Sequence, residues 1–104
     1  MPEAKSSFLV LLALKDGGKH GYEIARCISE RSHGFFSLSY GALYPVLHKL
    51  EQDGLVEGAW EGGEDSKRRR VYTLTRAGHK SLADEREHHR QLGLALRGLA
   101  GGKL

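Results

Sequence analysis

The sequence predicts a mainly α domain with one small β-hairpin, and three features point to it. Apolar residues recur at helical spacing in three successive segments before Gly54. The pattern then changes to short segments holding Val, Trp, Tyr and Thr on either side of a glycine-containing loop. After Thr75 helical spacing returns and runs nearly to the last residue.

A first helix, capped by Ser6 or Ser7, runs to about Lys15 and stops at Gly17 and Gly18. It is apolar almost all round, so it is expected to be buried on more than one side. A second runs from about Gly21 to Ser32, with Ile24, Ala25 and Ile28 inward, Glu23, Arg26, Glu30 and Arg31 outward, and Gly34 past its end. Phe35 to Ser39 reads as a short strand or an extended link. In the third helix, Leu43, Val46, Leu47 and Leu50 fall at i, i+3, i+4 and i+7, between Ser39 as N-cap and Gly54 just past the end. Leu55 to Glu61 and Arg69 to Thr75 form the hairpin, with Tyr72 and Leu74 on one face and Val71 and Thr73 on the other. Thr75 caps a last helix. Gly78, Leu82, Glu85, His89, Leu92, Leu96 and Leu99 are spaced alternately four and three along it, a heptad seam suited to pairing two copies. The closing Gly-Leu-Ala-Gly-Gly-Lys-Leu segment is expected to fray.

Composition narrows the function. With 104 residues there is room for one small domain and its core. The formal net charge of +3 favours polyanionic partners without requiring them. The single cysteine, Cys27, has no partner within the chain and suits a reducing compartment. Phe8 to Leu14 is far shorter than the roughly 20 residues of a membrane helix. Lys15, Asp16, Gly17 and Gly18 follow it instead of a cleavage pattern, so a soluble, cytoplasmic protein without membrane partners is expected. There is no glycine-rich phosphate loop with its Lys and no nucleophile spaced with a base, so the reading is not an enzyme, and no cofactor is implied.

Helix, helix, helix and hairpin, in that order, describe a winged helix-turn-helix, in which the third helix enters the major groove and the hairpin reaches backbone or minor groove. The outward side of the third helix fits that use. Gly41 allows close approach, Ser39 and Tyr40 offer hydroxyls to phosphates, and Tyr44, His48 and Lys49 reach backbone or base edges. Pro45 offers its ring for apolar contact and forfeits one helix hydrogen bond, that to the Gly41 carbonyl. Lys67, Arg68, Arg69 and Arg70 form the only dense basic run. In isolation such a run is a solvated strand edge; beside this helix it reads as a phosphate clamp. Glu57, Glu61, Glu64 and Asp65 balance it within the same hairpin. His20 to Tyr22, at the start of the second helix, can place amides on a phosphate.

These residues resemble the PadR family of transcriptional regulators. The resemblance is carried by His-Gly-Tyr-Glu-Ile at 20 to 24, Leu-Tyr-Pro at 43 to 45, and Leu-His-Lys-Leu-Glu-Gln-Asp-Gly-Leu-Val at 47 to 56. Trp60 and Arg-Arg-Val-Tyr-Thr-Leu-Thr-Arg-Ala-Gly at 69 to 78 complete it. It implies a winged-helix DNA-binding domain dimerised through its C-terminal helix, usually a repressor, in the short subclass with a single such helix. Some members bind flat compounds between aromatic side chains at the dimer interface. Here the last helix holds His79, His88 and His89 but no Trp, Phe or Tyr, which leaves a small-molecule effector there an open question. The wing is also more acidic than the family pattern.

Asp84 with His88 and Glu85 with His89 have the spacing of half a metal site, but a polar pair in a helix seam is an ordinary register device, and no metal is assigned. The expected organisation is a winged-helix domain over 1–75 and a dimerisation helix with a frayed tail over 76–104. Its pairing residues are Leu82, Glu85, His89, Leu92, Leu96 and Leu99. The expected function is a homodimeric, sequence-specific regulator, a repressor bound to a pseudo-palindromic operator. The competing reading is a winged-helix module that meets another protein instead of DNA.

Overall fold

The computed structural model describes residues 5–62 and 69–102. Its elements are α1 (Ser6–Ala13), β1 (Lys19–His20), α2 (Gly21–Arg31), α3 (Tyr40–Gln52), β2 (Val56–Glu61), β3 (Arg69–Leu74) and α4 (Arg76–Leu99). Helix order and hairpin match the expected winged helix-turn-helix.

α1 is buried as its composition demands, with Phe8, Val10, Leu11, Ala13 and the following Leu14 all in the core. Its start corrects one expectation. Lys5 is the N-cap, no side chain caps the first turn, and Ser6 and Ser7 lie inside the helix. Tertiary burial of Phe8 and Val10 holds this turn, as packing rather than capping does for most short helices. α2 has the cap that α1 lacks. His20 Nδ1 accepts from the Glu23 N–H at 3.4 Å and the Glu23 carboxylate accepts from the His20 N–H at 3.1 Å, a capping box with an imidazole in the usual hydroxyl position.

The segment after α2 is an extended link and not a strand. Ser32 organises it: the hydroxyl donates to the Ile28 carbonyl at 2.7 Å and accepts from the Phe36 N–H at 3.0 Å. α3 then begins as the sequence predicts, with Ser39 Oγ accepting from the Ala42 N–H at 3.1 Å. At its other end Gly54 takes φ 74°, its N–H bonds the Glu51 carbonyl at 3.1 Å, and the Leu55 N–H bonds the Leu50 carbonyl at 2.9 Å. This is a Schellman close, which needs a left-handed residue where Gly54 stands. Leu43, Leu47 and Leu50 are buried and Val46 half-buried, while Gly41, Tyr44, Pro45, His48 and Gln52 are exposed, as the periodicity predicts.

The sheet has one strand more than the hairpin. β1 pairs antiparallel with β3, Lys19 opposite Tyr72 and His20 opposite Val71, so the order is β1-β3-β2 with β3 central. Two residues are too few to show an alternating pattern, and only the approach of the chain to β3 makes them a strand. β2 and β3 pair from Val56 opposite Leu74 to Glu61 opposite Arg69. Thr75 joins wing to α4: its hydroxyl donates to the Gly54 carbonyl at 2.6 Å and accepts from the Gly78 N–H at 3.0 Å.

Of α4 only Gly78 and Leu82 are buried, the latter 4 % exposed in the same core as α1. Beyond them the helix projects, and the molecule measures 59 × 28 × 21 Å. Gly98 and Leu99 are helical, and the Gly101 and Gly102 N–H groups bond the Gly98 and Arg97 carbonyls at 3.2 and 2.7 Å; of the segment expected to fray, residues 103–104 lie outside the described residues. No described helix is long and apolar enough to cross a membrane.

Gly78 also proves to be an intrachain contact. A Cβ there would stand 2.0 Å from the Leu55 backbone carbonyl oxygen, an overlap that no rotamer can relieve. Gly78→Ala is therefore expected to destabilise the fold by about 1–3 kcal/mol or more, read as a lower urea midpoint.

Candidate nucleic-acid interface

The exposed side of α3 carries a ridge of Tyr40, Tyr44 and His48, each four residues from the last. It forms because the leucines opposite are committed to the core. The hydroxyls of Tyr40 and Tyr44 lie 2.5 Å apart, and their rings meet edge to face with centroids 4.9 Å apart. One O–H satisfies the other, which leaves one hydroxyl proton of the pair for an outside acceptor. That hydrogen bond, then burial, pushes the Tyr44 hydroxyl up to about 12; burial also raises Tyr72. The Tyr44 hydroxyl is therefore neutral near pH 7. Gly41 faces open space, so backbone can come close to whatever the helix meets. Lys49 is exposed and bonded to Asp53 at 3.1 Å, an exposed pair of a kind worth at most about 1 kcal/mol and easily exchanged for a phosphate.

α2 brings its N-terminal end alongside. Tyr22 is 62 % exposed, and its ring lies 6.5 Å from that of Tyr40. Arg26 stands over Tyr22 with its guanidinium carbon 5.9 Å from the ring centre. Arg26 was read from sequence only as an outward charge. Its place one turn after Tyr22 was the available signal, since residues four apart on a helix are neighbours. His20 caps α2 with Nδ1, and its Nε2 lies 3.3 Å from Arg69 Nη1 on β3. Arg69, His20, Tyr22, Tyr40, Tyr44 and His48 thus form a continuous surface. Lys67 and Arg68 lie outside the described residues.

Arg70, expected in the phosphate clamp, is bonded within the chain. Its Nη2 donates to Glu51 Oε2 on α3 at 2.5 Å and to the Gly58 carbonyl at 3.3 Å. The guanidinium carbon is 5.8 Å from the ring centres of both Trp60 and Tyr72. Neighbouring strand residues point to opposite faces, so Arg69 and Arg70 leave β3 on different sides. Tyr44, Pro45, His48, Glu51, Arg70 and Tyr72 line a cleft of about 390 Å³ between α3 and the wing. Glu51, missed in the sequence reading, is its acidic member.

This geometry is a known one. The model of the transcriptional regulator PadR-like family matches residues 10–84. The chain belongs to that family. Transcriptional regulator Rv3488 of Mycobacterium tuberculosis is 39% identical over 71 residues, covering 68% of this chain and 63% of that protein. The crystal structure of Bacillus subtilis PadR in complex with operator DNA superposes with a TM-score of 0.69 at 28% identity, over 75% of this chain and 44% of that one. A PadR family regulator from Clostridium difficile gives a TM-score of 0.78 at 25% identity and covers 90% of this chain and 96% of its own. The chain thus spans less than two thirds of the M. tuberculosis and B. subtilis relatives and nearly all of the C. difficile one. Family and fold are those of transcriptional regulators and not of enzymes.

In this PadR-like chain the expected seam divides in two. Leu82 faces the chain's own core, and the His89 ring stacks on Phe8 of α1 with centroids 4.4 Å apart and 14° between planes. His89 Nδ1 is also 2.9 Å from the Glu85 carbonyl oxygen, while Glu85 is half-buried. Leu92, Leu96 and Leu99 are exposed, and Leu94 with them. Among the described residues no group of three or more His, Cys, Asp or Glu could hold a metal ion.

The tyrosine pair makes a pH prediction. A free tyrosine ionises near 10.0 and Tyr44 near 12, so the folded state holds this proton more tightly. Its contribution to stability is complete below about pH 10 and is lost as pH rises from 10 to 12. In ultraviolet titration Tyr40→Phe is expected to bring the Tyr44 transition back toward 10.

Proposed function

We propose that this PadR-like chain is a homodimeric repressor whose two α3 helices enter successive major grooves of a pseudo-palindromic operator. The observation that carries the reading is the continuous exposed surface from Arg69 through His20, Tyr22, Tyr40 and Tyr44 to His48. The exposed tyrosines of this surface end in hydroxyls, and its histidines in ring nitrogens, suited to phosphate or base edge. Support also comes from the B. subtilis relative solved with its operator and described as a negative transcriptional regulator.

In this reading Tyr40, Tyr44 and Ser39 hold phosphates, Gly41 lets the helix sit deep, and Pro45 and His48 meet base edges. The α2 N-terminus, around Tyr22, takes a flanking phosphate. Lys67, Arg68 and Arg69 grip the backbone from the wing. Repression follows from occupying promoter DNA. Dimerisation comes through the projecting half of α4, where Leu92, Leu96 and Leu99 are exposed among the described residues. An apolar cleft of about 260 Å³ between α1 and α2, lined by Leu9, Leu12, Cys27, Ile28 and Phe36, lies on the same chain and can receive a partner's leucines. The dimer sets half-site spacing near one turn of DNA, about 34–36 Å. With no aromatic on α4, that interface has no platform for stacking a flat effector.

Fluorescence anisotropy against duplex DNA tests this. Affinity is expected to fall steeply between about 50 and 200 mM salt, with each neutralised phosphate adding about 0.9 to the log–log slope. Arg69→Ala should weaken binding to all sequences alike, whereas His48→Ala should change the preferred sequence, by about 1–3 kcal/mol at the base it reads. Failure to bind any duplex at low salt would favour the protein-interaction reading. For the dimer, sedimentation velocity should show Leu96→Asp shifting the chain to monomer and lowering DNA affinity with it.

A further inference from the structure

We infer that Glu51 and Arg70 form a strut that sets the angle between the recognition helix and the wing, so that Arg70 supports DNA binding without touching a phosphate. The inference rests on the DNA-binding reading above. Glu51 stands in the last turn of α3, and its Oε2 is shared. It accepts from the Gly58 N–H on β2 at 3.3 Å and from Arg70 Nη2 on β3 at 2.5 Å. One carboxylate oxygen therefore ties α3 to both strands of the wing, at Gly58 opposite Tyr72 and at Arg70 opposite Trp60. The other contacts of Arg70 close the joint: its Nη2 also reaches the Gly58 carbonyl, and the guanidinium lies between the Trp60 and Tyr72 rings.

Gly58 is the cavity into which this guanidinium fits. A Cβ on Gly58 would stand 2.3 Å from Arg70 Nε and 2.9 Å from Cζ, so any larger residue expels the side chain. The wing extends three residues past this point, to Glu61 opposite Arg69. At about 3.3 Å per residue that arm is roughly 10 Å, and a tilt of about 10° at the joint moves its end by nearly 2 Å. A displacement of that size breaks hydrogen bonds from the wing to a phosphate. The two adjacent arginines thus divide the work, Arg69 as the exposed charge and Arg70 as the joint.

A phosphate contact and a strut make opposite predictions. The test uses anisotropy of the full chain on a duplex that the wild type enriches from a random pool, as a function of salt. Arg70→Ala, Glu51→Gln and Gly58→Ala should each weaken binding about tenfold while leaving the log–log salt slope at the wild-type value. Arg69→Ala should flatten that slope by about 0.9. Glu51→Gln is decisive because removing an acid from a DNA-facing surface would otherwise tighten binding, and Gly58→Ala because it leaves every charge in place. Arg70→Lys keeps the charge but not the planar fork and should resemble Arg70→Ala. Thermal melts establish that each variant is folded at the assay temperature. A flatter slope for Arg70→Ala, tighter binding by Glu51→Gln, or lowered melting temperatures with unchanged affinity would each overturn the strut. If the wild type enriches no duplex, the DNA-binding reading itself fails and takes the strut with it.

Discussion

Burial of the Leu43, Leu47 and Leu50 flank of α3 against α1 and α2 is the interaction on which the rest of the molecule depends. A helix has one rotational setting that hides such a flank, and choosing it chooses the residues left outside. Here that choice presents Tyr40, Tyr44 and His48 as one ridge with Gly41 and Pro45 beside it. The ends of the helix are as firmly held as its flank. Ser39 caps the start, Gly54 closes the end, and the Thr75 hydroxyl ties that end to the start of α4. Wing and α4 therefore leave the core from the two sides of one joint.

The charge on the wing is organised by strand geometry and not by total count. Glu51 holds one arginine against α3 and His20 meets the next, so the net charge of +3 says little about what a partner would encounter. The exposed arginine meets the His20 imidazole, while the half-buried one has a carboxylate, as low-dielectric surroundings require of a charge that leaves water. The tyrosines add donors without adding charge. This surface combines a few exposed cations with hydroxyls and ring faces.

α4 behaves as two helices in series. Its first turns, with Gly78 and Leu82, complete the core beside α1, and the His89 stack on Phe8 marks the last firm contact. From Leu92 onward apolar side chains stand in solvent on a helix that nonetheless keeps an ordered close at Gly101 and Gly102. Leu92, Leu96 and Leu99 keep seam spacing along this projecting part of the helix.

The sequence by itself determined whatever depends on periodicity and local chemistry. That includes the three helices before Gly54, the hairpin, the Ser39, Gly54 and Thr75 stops, and which flank of α3 is apolar. These are short-range matters, governed by side-chain spacing and backbone preference, and they were legible for that reason. The family resemblance was legible in the same motifs. What only the tertiary structure decided depends on residues far apart in the chain. β1 exists because Lys19 and His20 meet β3, and Gly78 and Leu82 are buried because Leu55 and α1 claim that side of α4. Arg70 is the clearest case. Its sequence neighbours made it look like one of four equivalent charges, and only the approach of Glu51, nineteen residues earlier on another element, separated it from them.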